Sequence, residues 1–127
     1  MGTSELIRCR VVACQVGPGR WEFYLINDSD APLDWAALKR VLYEWGDMGN
    51  SEAVDVQVRD LAPGAHALIW RDDDDCAEMR VELSVQVRMG TREGRLTFEF
   101  PLLYKLTHKL TLAAGLDKAG WPVSAEF

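Results

Sequence analysis

The side chains with the means to do chemistry in this chain are two histidines, three cysteines, a run of aspartates and five tryptophans. Nucleophilic catalysis needs a nucleophile, a base beside it and an acid that orients the base. His66 follows a turn and is expected to be exposed. His108 falls among the inward positions of an alternating stretch, where an imidazole reads as a hydrogen-bonded core or interface residue. No Gly-x-Ser-x-Gly elbow accompanies either of them. Cys9, Cys14 and Cys76 are odd in number and lack the close Cys and His spacing of a zinc site. They read as buried free thiols in a reducing compartment. No catalytic set, cofactor or metal site is expected, and the chain reads as a non-enzyme.

The acidic run Asp72, Asp73, Asp74 and Asp75 offers the oxygen ligands that calcium takes. It lacks the spaced Asp-x-Asp-x-Asp-Gly loop with its distal Glu, and adjacent carboxylates repel one another, so it reads first as a solvated loop. Asp28 and Asp30 join it only if their loops meet at one end of the molecule. Trp21, Trp45 and Trp70 occupy positions that strand alternation can bury. Trp35, beside a loop, and Trp121, before Pro122, are less tied to the interior. An exposed tryptophan stacks on a sugar or anchors a protein partner. Trp35, Trp121 and the aspartates of the run are the candidate contacts for a partner or ligand.

Acidic residues outnumber basic ones by 20 to 14, a net charge of −6 that opposes binding to phosphate backbones. No nucleic-acid partner is expected. No stretch approaches the ~20 apolar residues of a membrane span, and Met1 to Val12 lacks the apolar core of a signal peptide. The expectation is one cytoplasmic domain over residues 1–127 with no membrane association. A chain of this length buries roughly two-thirds of its unfolded surface without a metal or disulfide staple.

The elements that must position these residues are strands. From Ala77 to Arg88 the chain alternates without a break, with Met79, Val81, Leu83, Val85 and Val87 apolar and polar residues between them. A period of two belongs to a strand with one buried and one wet face. Similar alternation predicts strands over Glu5–Val16, Arg20–Asn27, Ala53–Arg59, Ala65–Arg71, Leu96–Leu102 and Tyr104–Leu112, with Trp121–Phe127 a last strand or a tail. Pro101 marks an edge, a bend or a break. Between Asp34 and Gly46 two readings compete. A helix capped by Asp34 and ended by Gly46 lines Trp35, Leu38, Leu42 and Trp45 along one face, whereas a strand over Arg40–Trp45 turns Val41, Tyr43 and Trp45 inward. The reading adopted is one short helix near residues 35–45 running into a strand.

Roughly seven to eight short strands separated by turn residues make an all-β protein, an antiparallel β-sandwich of immunoglobulin-like plan. Such a sandwich has edge strands. Leu96 to Leu112 reads as a long, apolar-rich one with Lys105 and Lys109 on its wet face, suited to a homodimer or to docking a partner strand.

The segment WEFYLINDSDAPLDW (Trp21 to Trp35), with LAPGAHALIW (Leu61 to Trp70) and ELSVQVR (Glu82 to Arg88), resembles the β-sandwich domain that precedes the small MutS-related domain in some bacterial proteins. Phe23, Tyr24, Leu25, Asn27, Asp28, Ser29 and Gln86 carry the match, over about half of the chain. The resemblance implies an accessory or interaction role and transfers no catalytic residue. The function expected is therefore an interaction or assembly module that binds a protein partner or itself. The alternative is a ligand-binding module for sugar or calcium.

Overall fold

The computed structural model describes residues 6–46, 48–72, 79–106, 109–113 and 115–127. Among these residues nine strands follow one another: β1 (Arg8–Gly17), β2 (Arg20–Asn27), β3 (Leu33–Trp45), β4 (Met48–Leu61), β5 (His66–Asp72), β6 (Arg80–Met89), β7 (Arg92–Phe100), β8 (Thr111–Leu112) and β9 (Ala119–Glu126). They form two antiparallel sheets, sheet A in the order β5-β2-β1-β9-β8 and sheet B in the order β4-β3-β6-β7. The chain is an all-β sandwich.

Alternation explains which side chains meet between the layers. Cys9, Val11 and Ala13 of β1, Trp21, Phe23 and Leu25 of β2, Val81, Leu83, Val85 and Val87 of β6, and Leu96, Phe98 and Phe100 of β7 share one apolar cluster. Phe23 and Phe100 touch edge to face across the layers, with ring centroids 5.2 Å apart. Sheet B follows the one-wet-face rule on β6 and β7. Sheet A does not: Val12, Cys14, Tyr24 and Ile26, on its other face, pack under Ala113 and Leu116 as a second small cluster. That cover is why β1 and β2 read as nearly continuous apolar runs.

The short helix expected near residues 35–45 is instead part of β3, hydrogen-bonded to β4 on one side and β6 on the other. The register of β3 slips on both neighbours between Leu38 and Arg40. Ala36 and Leu38 face the core before the slip, and Val41 faces it afterwards. A bulge adds one residue to the period, so core positions fall three apart and imitate a helical face. The strand expected over Tyr104–Leu112 is also absent. A 3-10 turn at Leu103–Leu106 follows Pro101 and sends both of its leucines into the core, and among the described residues of the segment only Thr111–Leu112 is extended. The long edge expected from Leu96 to Leu112 therefore stops at Phe100. The C-terminal stretch is a strand, β9, paired with β1 and β8 inside sheet A. The start of the alternating stretch at Ala77, the Trp45 side chain and His108 lie outside the described residues.

Asn27, Asp28 and Ser29 form a hydrogen-bonded corner. Asn27, fully buried, donates to the carbonyls of Ala31 and Leu61, 2.9 Å each, and accepts from the Ser29 N–H at 2.9 Å. The Ser29 hydroxyl accepts from the Arg8 N–H at 2.8 Å and donates to the Arg8 carbonyl at 3.1 Å. Asp28 pairs with the Arg10 guanidinium at 2.6 and 3.0 Å. Asn27, Asp28 and Ser29 thus tie β1, the β2–β3 connection and the end of β4 together.

Candidate functional site

Polar side chains gather in two places, and they differ in how far the chain satisfies them. On the outer face of sheet A, cross-strand register sets Cys14, Glu22 and Arg71 in one row, with Tyr24 two residues along β2. The Tyr24 hydroxyl donates to Glu22 Oε1 at 2.6 Å, and Arg71 Nε reaches Glu22 Oε2 at 3.1 Å. Lys118, from the segment that covers this face, donates to the Tyr24 hydroxyl at 2.6 Å and to Glu22 Oε1 at 3.3 Å. Its ammonium also sits 4.8 Å from the Tyr24 ring centroid, and His66 meets the same ring edge-on at 5.9 Å. The hydrogen bond from Tyr24 holds the Glu22 carboxyl below the usual carboxylate range, with Lys118 and Arg71 acting in the same direction against burial. Tyr24 is pushed up by burial and by Glu22. Glu22 is nearly buried, and its oxygens are committed to three donors, so the cluster works as a clasp that fastens residues 115–118 to sheet A.

The two described cysteines are buried free thiols. Burial raises Cys9 to about 12, with Asp28 adding to it, and raises Cys14 to about 11 despite the opposing charge of Lys118. Neither has the thiolate character of a nucleophile. Cys76, together with Asp73, Asp74 and Asp75, lies outside the described residues. Asp72 ends β5 half-buried, where Tyr43 of β3 donates to it at 2.6 Å while Trp70 Nε1 donates to the Tyr43 hydroxyl at 3.0 Å. This chain of bonds joins the two sheets. Trp121, half-buried on β9 opposite Ala13, packs against the main core. Among the described residues no three His, Cys, Asp or Glu gather as a metal site.

Trp35 is placed differently. It pairs with Arg59 of β4 and Arg88 of β6, on the side of sheet B away from the core. Its neighbours on that face are Gln57, Gln86, Glu93 and Arg95. At the opposite end of the face an open depression of about 540 Å³ is lined in part by Glu44, Arg80, Glu82, Glu99 and Lys105. Glu82 and Glu99 stand directly across from each other on β6 and β7. Burial raises the Glu82 carboxyl, with Glu99 adding to it. β6 alone gives no sign of this carboxylate pair; the signal is the β6–β7 register, which a hairpin count from Gly90 could have supplied.

Sheet B also ends in two strands that pair on one side only, β4 and β7. β7 is nine residues long and is followed by Pro101. The C-terminal Phe127 ring lies against Gly94, so close that a Cβ there would stand 2.6 Å from its carbons. Arg92 donates to the Phe127 carbonyl at 3.3 Å. β4 is fourteen residues long, and Met48 to Ala53 are all exposed. From Val54 to Arg59 it alternates strictly, with Val54, Val56 and Val58 half-buried against the core and Asp55, Gln57 and Arg59 exposed.

Comparison of the chain with protein-family models, with curated proteins and with solved structures finds no match. No helix among the described residues is long and apolar enough to cross a membrane.

Proposed function

We propose that the chain is a non-enzymatic interaction or assembly module of immunoglobulin-like plan, acting in the cytoplasm, that associates with itself through an open edge of its four-stranded sheet. One observation carries this reading: β4 is a long strand that pairs on one side only, without proline, inward charge or covering segment among the described residues, and its register slip at Val54–Asp55 and bend at Asp60 leave a regular stretch between them. Natural edges are usually blunted by one of these devices because an unblunted edge pairs with another chain. The order β4-β3-β6-β7 matches the C′-C-F-G order of immunoglobulin-like sheets, and β5-β2-β1 matches E-B-A. An accessory role also agrees with the resemblance to the sandwich that precedes a MutS-related domain. The buried, protonated thiols of Cys9 and Cys14 suit a reducing compartment. Sedimentation equilibrium over a wide concentration range tests the reading. Mass rising toward that of a dimer is expected, and an ideal monomer at the highest concentration contradicts it.

A second reading, a sugar-binding face, is favoured by the placement of Trp35 beside Gln57, Gln86 and the flanking arginines. Glycans that raise the melting temperature of the wild type but not of Trp35→Ala would support it.

A further inference from the structure

We infer that two copies of this chain join β4 to β4 in antiparallel register about a two-fold axis at Gln57. The inference rests on the self-association proposed above and names its surface and geometry.

The regular part of the β4 edge has definite limits. Toward its start, the register with β3 slips opposite Val54 and Asp55, between the pairs Arg40–Ala53 and Leu38–Val56. Toward its end, Asp60 takes φ 52°, the left-handed region that few residues other than glycine adopt, and it bends the chain away from a straight ladder. Between these limits the regular pairs run from Val56 to Arg59, and with Asp55 at the margin of the slip the stretch Asp55-Val56-Gln57-Val58-Arg59 has Gln57 at its middle. An antiparallel pair centred there sets Gln57 across from its own copy and Val56 across from the partner's Val58. It also sets Asp55 across from the partner's Arg59, twice over by symmetry.

Each of those pairings is favourable. The valines, half-buried at the rim of the core, gain a second apolar neighbour from the partner. Asp55, with a side chain 57% exposed, is held by Lys39 at 3.0 Å and more loosely by Gln57 Nε2 at 3.4 and 3.5 Å. Arg59 forms no ion pair among the described residues. A register slip of one residue sets valine against Asp55 or Arg59 and turns the two core faces to opposite sides, and moving the axis a full residue, onto Val56 or Val58, keeps the faces together but sets Gln57 against Asp55 or Arg59 in place of the ion pair. The charge pattern of β4 is thus self-complementary in one register. The other edge of sheet B carries a like pattern about Thr97, with Arg95 and Glu99 flanking Leu96 and Phe98, but it is the more obstructed edge: the Phe127 ring lies against Gly94, Arg92 donates to the Phe127 carbonyl, and Pro101 follows its end.

The test uses the whole chain with Cys76→Ser as background, leaving the buried Cys9 and Cys14 in place. Directly opposed residues in an antiparallel pair have Cα atoms about 4.5–5.5 Å apart, which a disulfide can span. Under mild oxidation Gln57→Cys should cross-link with itself, whereas Asp55→Cys and Arg59→Cys should cross-link only when mixed with each other. Self-linking of Asp55→Cys, or faster linking through Thr97→Cys on β7, overturns this geometry while leaving self-association intact. A monomeric wild type with no cross-link at any of these positions overturns both.

Charge reversal gives an independent reading by sedimentation. Arg59→Asp and Asp55→Arg should each raise the dimer Kd about tenfold, and mixing the two variants should restore it, because every opposed pair then carries opposite charges. A Kd unchanged in both variants overturns the register.

Discussion

Asn27 spans three parts of the fold with one amide: it donates to the Ala31 and Leu61 carbonyls and accepts from Ser29. Truncation leaves a buried carbonyl at Leu61 and a part-buried one at Ala31 without these donors. Asn27→Ala should therefore lower unfolding free energy by about 2–4 kcal/mol in urea, whereas Asp28→Ala, which removes a partly exposed ion pair, should lower it by about 1 kcal/mol or less. Glycine at position 120 is equally local, since a Cβ there would stand 2.8 Å from the Ala13 carbonyl oxygen and 2.9 Å from Cys14 Sγ. Gly120→Ala is expected to cost about 1–3 kcal/mol by the same measurement. The raised Cys9 and Cys14 thiols make a further prediction. In Cys76→Ser protein an aromatic disulfide reagent should find no fast-reacting thiol in the native state and two after denaturation. At this scale the sequence was readable for residue type: Asn-Asp-Ser is plainly turn chemistry, and the cysteines read as buried. The partners of Asn27 were not readable, because Leu61 lies 34 residues away and only the fold brings it near.

Among the elements, β3 was the hardest to read and β6 the easiest, for one physical reason. β6 keeps a strict period of two because it pairs with β7 without a break and the extra residue of its slip against β3 falls on β3. β3 carries a bulge that shifts its period at Lys39, so a two-fold pattern reads like a helical one. Tyr104–Leu112 misled for a related reason, since Leu103 and Leu106, three apart, both turn inward from a 3-10 turn. The covering segment 115–118 is held by the Glu22–Tyr24–Lys118 clasp. The folded-state pKa of Glu22 lies below its unfolded value. Its stabilising effect is therefore fully present above the ordinary carboxylate range and is lost as pH falls through the folded pKa. Thermal unfolding between about pH 6 and about pH 3 should show the wild type losing more stability than Glu22→Gln, with the two curves converging at the acid end. Parallel curves would mean that the clasp is not linked to folding.

For the whole molecule, alternation and turn spacing were enough to give two antiparallel layers, because burial on one face writes its period directly into the sequence. The interaction surface was not legible in the same way. An edge is defined by which strands lack a neighbour, and that depends on pairings between distant segments. The expected edge, Leu96–Leu112, ends at Phe100, while Ala53–Arg59, read only as an ordinary strand, lies within the long free edge β4. The central claim is that β4 is where one copy meets another. Amide hydrogen exchange of the wild-type chain, followed at concentrations below and above its association midpoint, addresses this most directly. Alternate amides within residues 55–59 should exchange more slowly at high concentration while those of Arg92–Phe100 stay the same. Exchange in β4 that does not depend on concentration would contradict the account.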